Sequence, residues 1–344
     1  MALRMPAEWA PHEATWLAWP HEKSDWPGKF APIPWLYGDI VRHLSQVERV
    51  RILVHSAEAR EQARKVLAKS GAQMEAVEFY ECGSDRSWVR DTMAIFVHNG
   101  RGQVEALDWG FNAWAKYPNY ERDDRIPDFA ARALGMKKHV PALRRRRIVL
   151  EGGSIEVNGA GVMLTTEECL LSEVQARNPG LTRQDLERVF GQYLGIERTL
   201  WLNRGIAGDD THGHVDDLAR FTDEQTIVIA AEQDKSDANY EPLRENLQRL
   251  KKIAPEFRVM RLPMPEPVYF DGQRLPASYA NFYIANGIVL APVFNDARDR
   301  EALNILQKAM PGRRVIPIYC RDLVLGLGTL HCMTQQEPRR IGKR

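Results

Sequence analysis

Short apolar runs recur along the chain in pairs, several of them parted by Asn-Gly. Ile95-Phe96-Val97 and Val104–Leu107 flank Asn99-Gly100, and Ser154–Val157 and Val162-Met163-Leu164 flank Asn158-Gly159. Asn281–Ile284 and Ile288-Val289-Leu290 flank Asn286-Gly287. Such pairs predict β-hairpins, because both turn residues tolerate positive φ. A further pair, Leu218–Phe221 and Thr226–Ile229, brackets Thr222-Asp223-Glu224. Beyond the last hairpin the apolar period lengthens. Ala302, Leu303, Ile305, Leu306 and Ala309 form one helical stripe over Asp296–Met310, which Pro311-Gly312 ends before a strand at Val315–Ile318. Near the start, Val50–Val54 predicts a strand. Ser56 caps the helix that follows, Glu58 and Glu61 favour its early turns, and Gly71 closes it. Repeated hairpin–helix–strand units predict an α/β fold of similar modules arranged in a ring, each sending one loop towards a shared centre.

Polar residues keep the same register. Asp91 lies eight residues before Asn99, Glu151 seven before Asn158, and Asp216 seven before Asp223. Three carboxylates at equivalent hairpin starts would converge on the axis of such a ring. The same offsets from Asn286 select Ser278 and Tyr279, one of which is expected to face the centre.

Composition narrows the partners. The 344 residues are 44% hydrophobic and 27% charged, as in packed globular proteins. Lys and Arg number 47 against 46 acidic residues, so the strong basic excess of a nucleic-acid binder is absent. The one dense basic run, Arg144–Arg147, directly precedes apolar Ile148-Val149-Leu150 and is expected to be a solvated start to a strand. No apolar run approaches the ~18 residues of a membrane span, and the first residues lack a secretory pattern. Cys82, Cys169, Cys320 and Cys332 are too sparse for a disulfide framework. The expectation is a cytoplasmic protein acting on a small molecule, with neither nucleic acid nor membrane as partner.

The chemistry lies in four segments. Thr211-His212-Gly213-His214-Val215-Asp216-Asp217 places imidazole and carboxylate on alternate positions, as in some zinc hydrolases, but Asp217 stands where a further histidine is needed. Leu150-Glu151-Gly152-Gly153-Ser154 presents a carboxylate where glycines allow close backbone approach or positive φ. Asp85–Asp91 brackets Arg90 with Trp88 and Asp91, and Gly326–Gln336 leaves room beside Cys332. Each alone has a plainer structural reading: a capped turn, a tight turn, a surface ion pair, a small core cysteine.

Together these segments resemble the agmatine deiminases of the guanidino-group-modifying superfamily. Matching stretches are Met5–Trp9, His12–Trp16, Trp88–Asp91, Asp108–Trp114, Glu151–Ser154, Thr165–Leu170, Gly213–Asp216, Leu275–Tyr279 and His331–Gln336. The resemblance implies a five-bladed pseudo-symmetric α/β propeller, one catalytic domain over 1–338 and a basic tail at 339–344. It further implies a guanidine deiminase of the putrescine-forming branch of arginine catabolism, with Cys332 as nucleophile and His214 as general acid and base. Asp91 and Asp216 would grip the guanidinium, and Glu151 would bind it and orient His214. Trp88 and Trp114 would contact substrate, and no metal or cofactor is implied. A homo-oligomer is compatible with this picture. The alternatives are a deiminase of free or peptidyl arginine, a zinc hydrolase, and a silent amine-binding protein. Three departures stand out. Leu327 and Thr329 occupy positions commonly Gly and Asn, Thr92-Met93-Ala94 replaces a small residue and Gly-Pro, and Glu156 replaces a frequent His. For the far end of the substrate, the aromatic and acidic segment Asp108–Asp124 suits an alkylammonium, unless Lys116 or Arg122 turns inward.

Overall fold

Each apolar pair forms an antiparallel hairpin in the computed structural model, which describes residues 2–342. Met1 and the predicted tail residues Lys343 and Arg344 lie outside the described residues. The turns differ in detail from the expectation. Asn99 and Asn158 do not sit in two-residue turns. Each instead folds its side-chain oxygen over a longer loop and accepts two backbone N–H groups, from Arg101 and Gln103 or from Ala160 and Val162. Asn286-Gly287 is a two-residue turn, and there only Gly287 has positive φ.

After each hairpin a helix returns the chain to a strand parallel to the hairpin's second strand. Ile95–His98 and Val104–Leu107 gain Lys138–His139, and Glu156–Val157 and Val162–Thr166 gain Arg198–Leu202. Ala219–Asp223 and Thr226–Ala231 gain Arg258–Pro263, and Tyr283–Ala285 and Ile288–Val293 gain Arg314–Tyr319. The remaining large sheet is built from both ends of the chain. Gln335–Pro338 runs antiparallel to His12–Ala18, which pairs in parallel with Arg49–Val54 and through it with Val77–Glu81. Two short strand pairs complete the sheets among the described residues.

The helices follow the apolar stripes. Ala57–Lys69 begins where the Ser56 oxygen accepts the Ala59 N–H, and Asp299–Ala309 buries Ala302, Leu306 and Ala309. The basic run is not a plain strand start. Arg144 and Arg145 turn a small ribbon with positive φ, Arg144 pairs with Asp185, and Arg147 pairs with Asp108 and Asp124. Among the described residues no helix is long and apolar enough to cross a membrane.

Arg90, Arg177 and Arg220 are fully buried, and each is paired. Arg220 holds Glu8 at 2.9 Å and Glu156 at 2.8 Å, and donates to the Phe282 carbonyl at 2.6 Å. Breaking such a pair costs about 3–5 kcal/mol, because the charge left behind stays buried. Arg90 and Arg220 therefore tie Glu8 of the N-terminal segment to later parts of the chain. The Glu156 departure is accommodated here, since its carboxylate also accepts the Phe221 N–H.

Candidate active site

Short turns preceding the hairpins carry the predicted carboxylates. Asp91 lies in the helical turn Val89–Thr92, Glu151 immediately before the turn Gly152–Ser154, and Asp216 within Val215–Asp217. These turns pack against one another. Gly153 is what permits the approach. A Cβ there would stand 2.5 Å from His214 Nδ1 and 2.9 Å from an Asp91 oxygen, and its N–H donates to Asp91 at 3.0 Å. The glycines serve close approach, not positive φ.

The His214 ring lies between two carboxylates, Nδ1 3.8 Å from Asp91 and Nε2 3.8 Å from Glu151. Burial opposes charge on this ring, but the Asp91 charge, with Cys169 and Glu151 close by, lifts its pKa well above the ordinary value. Burial raises the Asp91 carboxyl, His214 opposes, and Glu151 and Asp216 push it further up. Glu151 goes the other way. Burial would raise it, but the Arg177 guanidinium at 3.0 Å, with His214, brings it down to about 2.

Cys332 sits among acids. Its sulfur lies 3.7 Å from Asp216 Oδ2 and accepts from Asn281 Nδ2 at 3.1 Å. Burial pushes the thiol pKa well up, and Asp216, Asp217 and Asp91 add to it. Next to Cys332, His331 bridges Asp216 and Glu8, each at 2.7 Å, and keeps Asp216 below the ordinary carboxylate range despite burial. Gly328 leaves the sulfur its space: a Cβ there would meet Cys332 Sγ at 3.2 Å.

A cavity of about 190 Å³ opens onto Cys332 and Asp91. Trp88 and Trp114 line it, as do Asp25, Arg86, Tyr117, Asp210 and Leu327. Trp114 Nε1 donates to Asp91 at 2.9 Å. This indole is presented by a run of positive φ at Ala113, Trp114 and Ala115, closed by the Asn112 side chain. Leu327, where glycine is common, also has positive φ and borders the cavity, whereas Thr329 turns away to bond Asn281. Lys116 does not turn inward as a free cation. It pairs with Asp210, which also accepts from Tyr117 OH at 2.7 Å, and Arg122 does not line the cavity.

Some expectations fail. Neither Ser278 nor Tyr279 lines the cavity. Ser278 donates to the Asp217 carbonyl and Tyr279 to Asp299, and Asn281 is the residue of that segment that reaches Cys332. His212 and His214 do not form a shared metal site with Asp216. The His212 ring turns to Ser172, and none of the buried donor clusters among the described residues contains His212 or Asp216. Sequence reasoning missed Asn281, Arg177 and the bridging role of His331, and it saw in Arg90 a surface ion pair where the structure has a buried one with Glu8. A lone Asn or Arg carries no local signal, whereas His331 adjoins the nucleophile and Glu8 lies in a matching stretch.

The sequence profile of the Porphyromonas-type peptidyl-arginine deiminases matches residues 4–338. The chain belongs to this family. Its relatives include the agmatine deiminase of Ectopseudomonas mendocina, 35% identical over 98% of this chain and 96% of that one. Among solved structures, an agmatine deiminase of C. jejuni with substrate bound superposes with a TM-score of 0.89 at 32% identity, covering 99% of this chain and 97% of that one. The agmatine deiminase of Enterococcus faecalis gives 0.90 at 31%, with the same coverage. The mixed α/β fold is thus the one that these agmatine deiminase structures share.

Proposed function

We propose that this protein is an agmatine deiminase, converting agmatine and water to N-carbamoylputrescine and ammonia. One observation carries the chemistry. Asp216 Oδ1, Glu151 Oε2 and both His214 nitrogens are buried without hydrogen-bond partners, in the cluster of acids that surrounds the Cys332 thiol. A planar cation rich in N–H donors satisfies the two carboxylate oxygens at once. Asp91 and Asp216 grip the guanidinium edges, Glu151 binds a further N–H, and the central carbon is held face-on to Cys332. The same cation reverses the electrostatics that keep the thiol protonated, so thiolate forms in the complex. It attacks the guanidinium carbon, and the tetrahedral adduct expels ammonia as His214 gives up a proton. His214 then deprotonates water, which displaces sulfur from the thiouronium intermediate. Asn281 donates to sulfur throughout, and Trp88 walls the cavity.

The reading extends to the architecture: the five large sheets are the blades of one propeller, residues 1–338 are one catalytic domain with a basic tail, and the enzyme is cytoplasmic. Agmatine is favoured over arginine by the far end of the cavity. There Asp25 and Asp210 face any added α-carboxylate, and Arg86, the lining cation among the described residues, is already paired with Asp25. An unpaired buried carboxylate costs several kcal/mol, equivalent to ~10²-fold or more. The test is kcat/KM for agmatine, arginine and a blocked arginine peptide under identical conditions. Agmatine is expected to lead by that factor. Equal or higher efficiency on arginine would show that Arg86 leaves Asp25 for the α-carboxylate, and would overturn the assignment of substrate but not of chemistry.

A further inference from the structure

Cys169 takes no part in the proposed reaction, yet it is buried against the residues that do. Its helix, Glu167–Leu171, begins where Thr166 accepts the Cys169 N–H at 3.0 Å, and Thr166 also donates to the carbonyl of Gly213, next to His214. This places Cys169 Sγ, a Glu151 oxygen and a His214 ring nitrogen all within 4.8 Å of one another.

A second buried group, Glu8, Glu156 and His331, meets the same distance criterion, and the contrast is informative. There Arg220 grips both carboxylates and His331 spends both nitrogens on Glu8 and Asp216. Its donors are committed. In the first group Glu151 Oε2 and both His214 nitrogens are unpartnered, and the Glu151–His214 separation is 3.8 Å. Ligand distances of about 2.0–2.3 Å around a tetrahedral ion put neighbouring donors roughly 3.3–3.7 Å apart, so the Glu151–His214 pair is nearly at that spacing and Cys169, within 4.8 Å of both, closes in on binding and leaves a fourth position to water. One thiolate, one imidazole and one carboxylate form a donor set for a borderline-soft divalent cation.

We propose that Glu151, Cys169 and His214 form an inhibitory zinc site buried beside the catalytic cavity, behind the Asp91 that lines it, closed by substrate and opened when the cavity is empty. On binding, the protons of the Cys169 thiol and the His214 ring leave to solvent, and the metal occupies the nitrogen and oxygen that the reaction needs. Arg177 remains on the other Glu151 oxygen and fixes which one ligates. Metal binding stands on geometry alone, whereas inhibition rests on the role proposed for His214.

The experiment uses the full chain, stripped of metal, titrated with cobalt as a spectroscopic stand-in and then with zinc. Wild type and Cys332→Ala should both bind one equivalent and show a thiolate-to-cobalt charge-transfer band, and agmatine should suppress it in Cys332→Ala. Cys169→Ser should lose the band and weaken zinc binding at least about tenfold, since even groups that merely orient ligands contribute 10–100-fold. A band that survives in Cys169→Ser and vanishes in Cys332→Ala would place the ion on the nucleophile and overturn the proposal, as would absence of uptake by wild type. Cys332→Ala decides the matter even if Cys169→Ser does not fold, because it keeps Cys169 and lacks the nucleophile. Failure of deimination in the metal-free wild type would count against the proposed function and leave the metal site standing.

Discussion

At the scale of single residues, the site is a cluster of acids waiting for a cation. Cys332→Ala should abolish turnover with the fold intact, and Cys332→Ser should be nearly as inactive, since no base strong enough to ionise a hydroxyl touches that position. Full activity in Cys332→Ala, measured as ammonia release, would remove the covalent mechanism. The environment of the sulfur adds a pH signature. A thiol raised by burial and by Asp216, Asp217 and Asp91 should react slowly in the free enzyme near neutrality. Its alkylation rate should climb about tenfold per pH unit, with no plateau before the ordinary thiol range, because only the thiolate reacts. A plateau below pH 8 would mean that His214 or another cation already ionises Cys332 without substrate. Asp91, Glu151 and Asp216 were legible through their shared offset from turn residues. Asn281 was not, because its role depends on a contact with Cys332 across 51 positions that no local pattern encodes.

At the scale of elements, the run Ala113–Ala115 is the costliest piece of local structure. Left-handed backbone costs a non-glycine residue about 1–2 kcal/mol, and here successive residues bear it so that the Trp114 indole reaches Asp91. Ala115 is exposed, so glycine there loses no packing. Ala115→Gly should therefore be neutral or stabilising by up to about 1 kcal/mol, the relief of strain exceeding the roughly 0.5–1 kcal/mol that glycine adds to unfolded-chain entropy. Thermal unfolding measures it, and a fall in Tm of several degrees would contradict the strain argument. Hairpins and helices were readable because apolar period and turn chemistry are local. The failure at Ser278 and Tyr279 is equally physical. The hairpin with Asn286 has a shorter turn than those with Asn99 and Asn158, so a fixed offset from the asparagine lands at a different depth.

At the scale of the whole molecule, the repeat was visible in the sequence, but the sheet made from both ends was not. His12–Ala18 carries no turn marker linking it to Gln335–Pro338, and their pairing needs the entire intervening chain. Both ends also rest on one hairpin. Arg4 N–H donates to the His98 carbonyl at 2.9 Å, the His98 ring bonds the Arg339 carbonyl at 2.9 Å, and Ile341 N–H donates to Gly102. The two ends of the described chain therefore lie side by side in the folded object. Joining residue 342 to residue 4 through a short Gly/Ser linker, and cutting the exposed loop at Asp234-Lys235, should give a circular permutant that folds and still releases ammonia from agmatine. In that permutant the old ends become an ordinary connection between neighbouring strands, and the order of genetic information is uncoupled from the order of assembly.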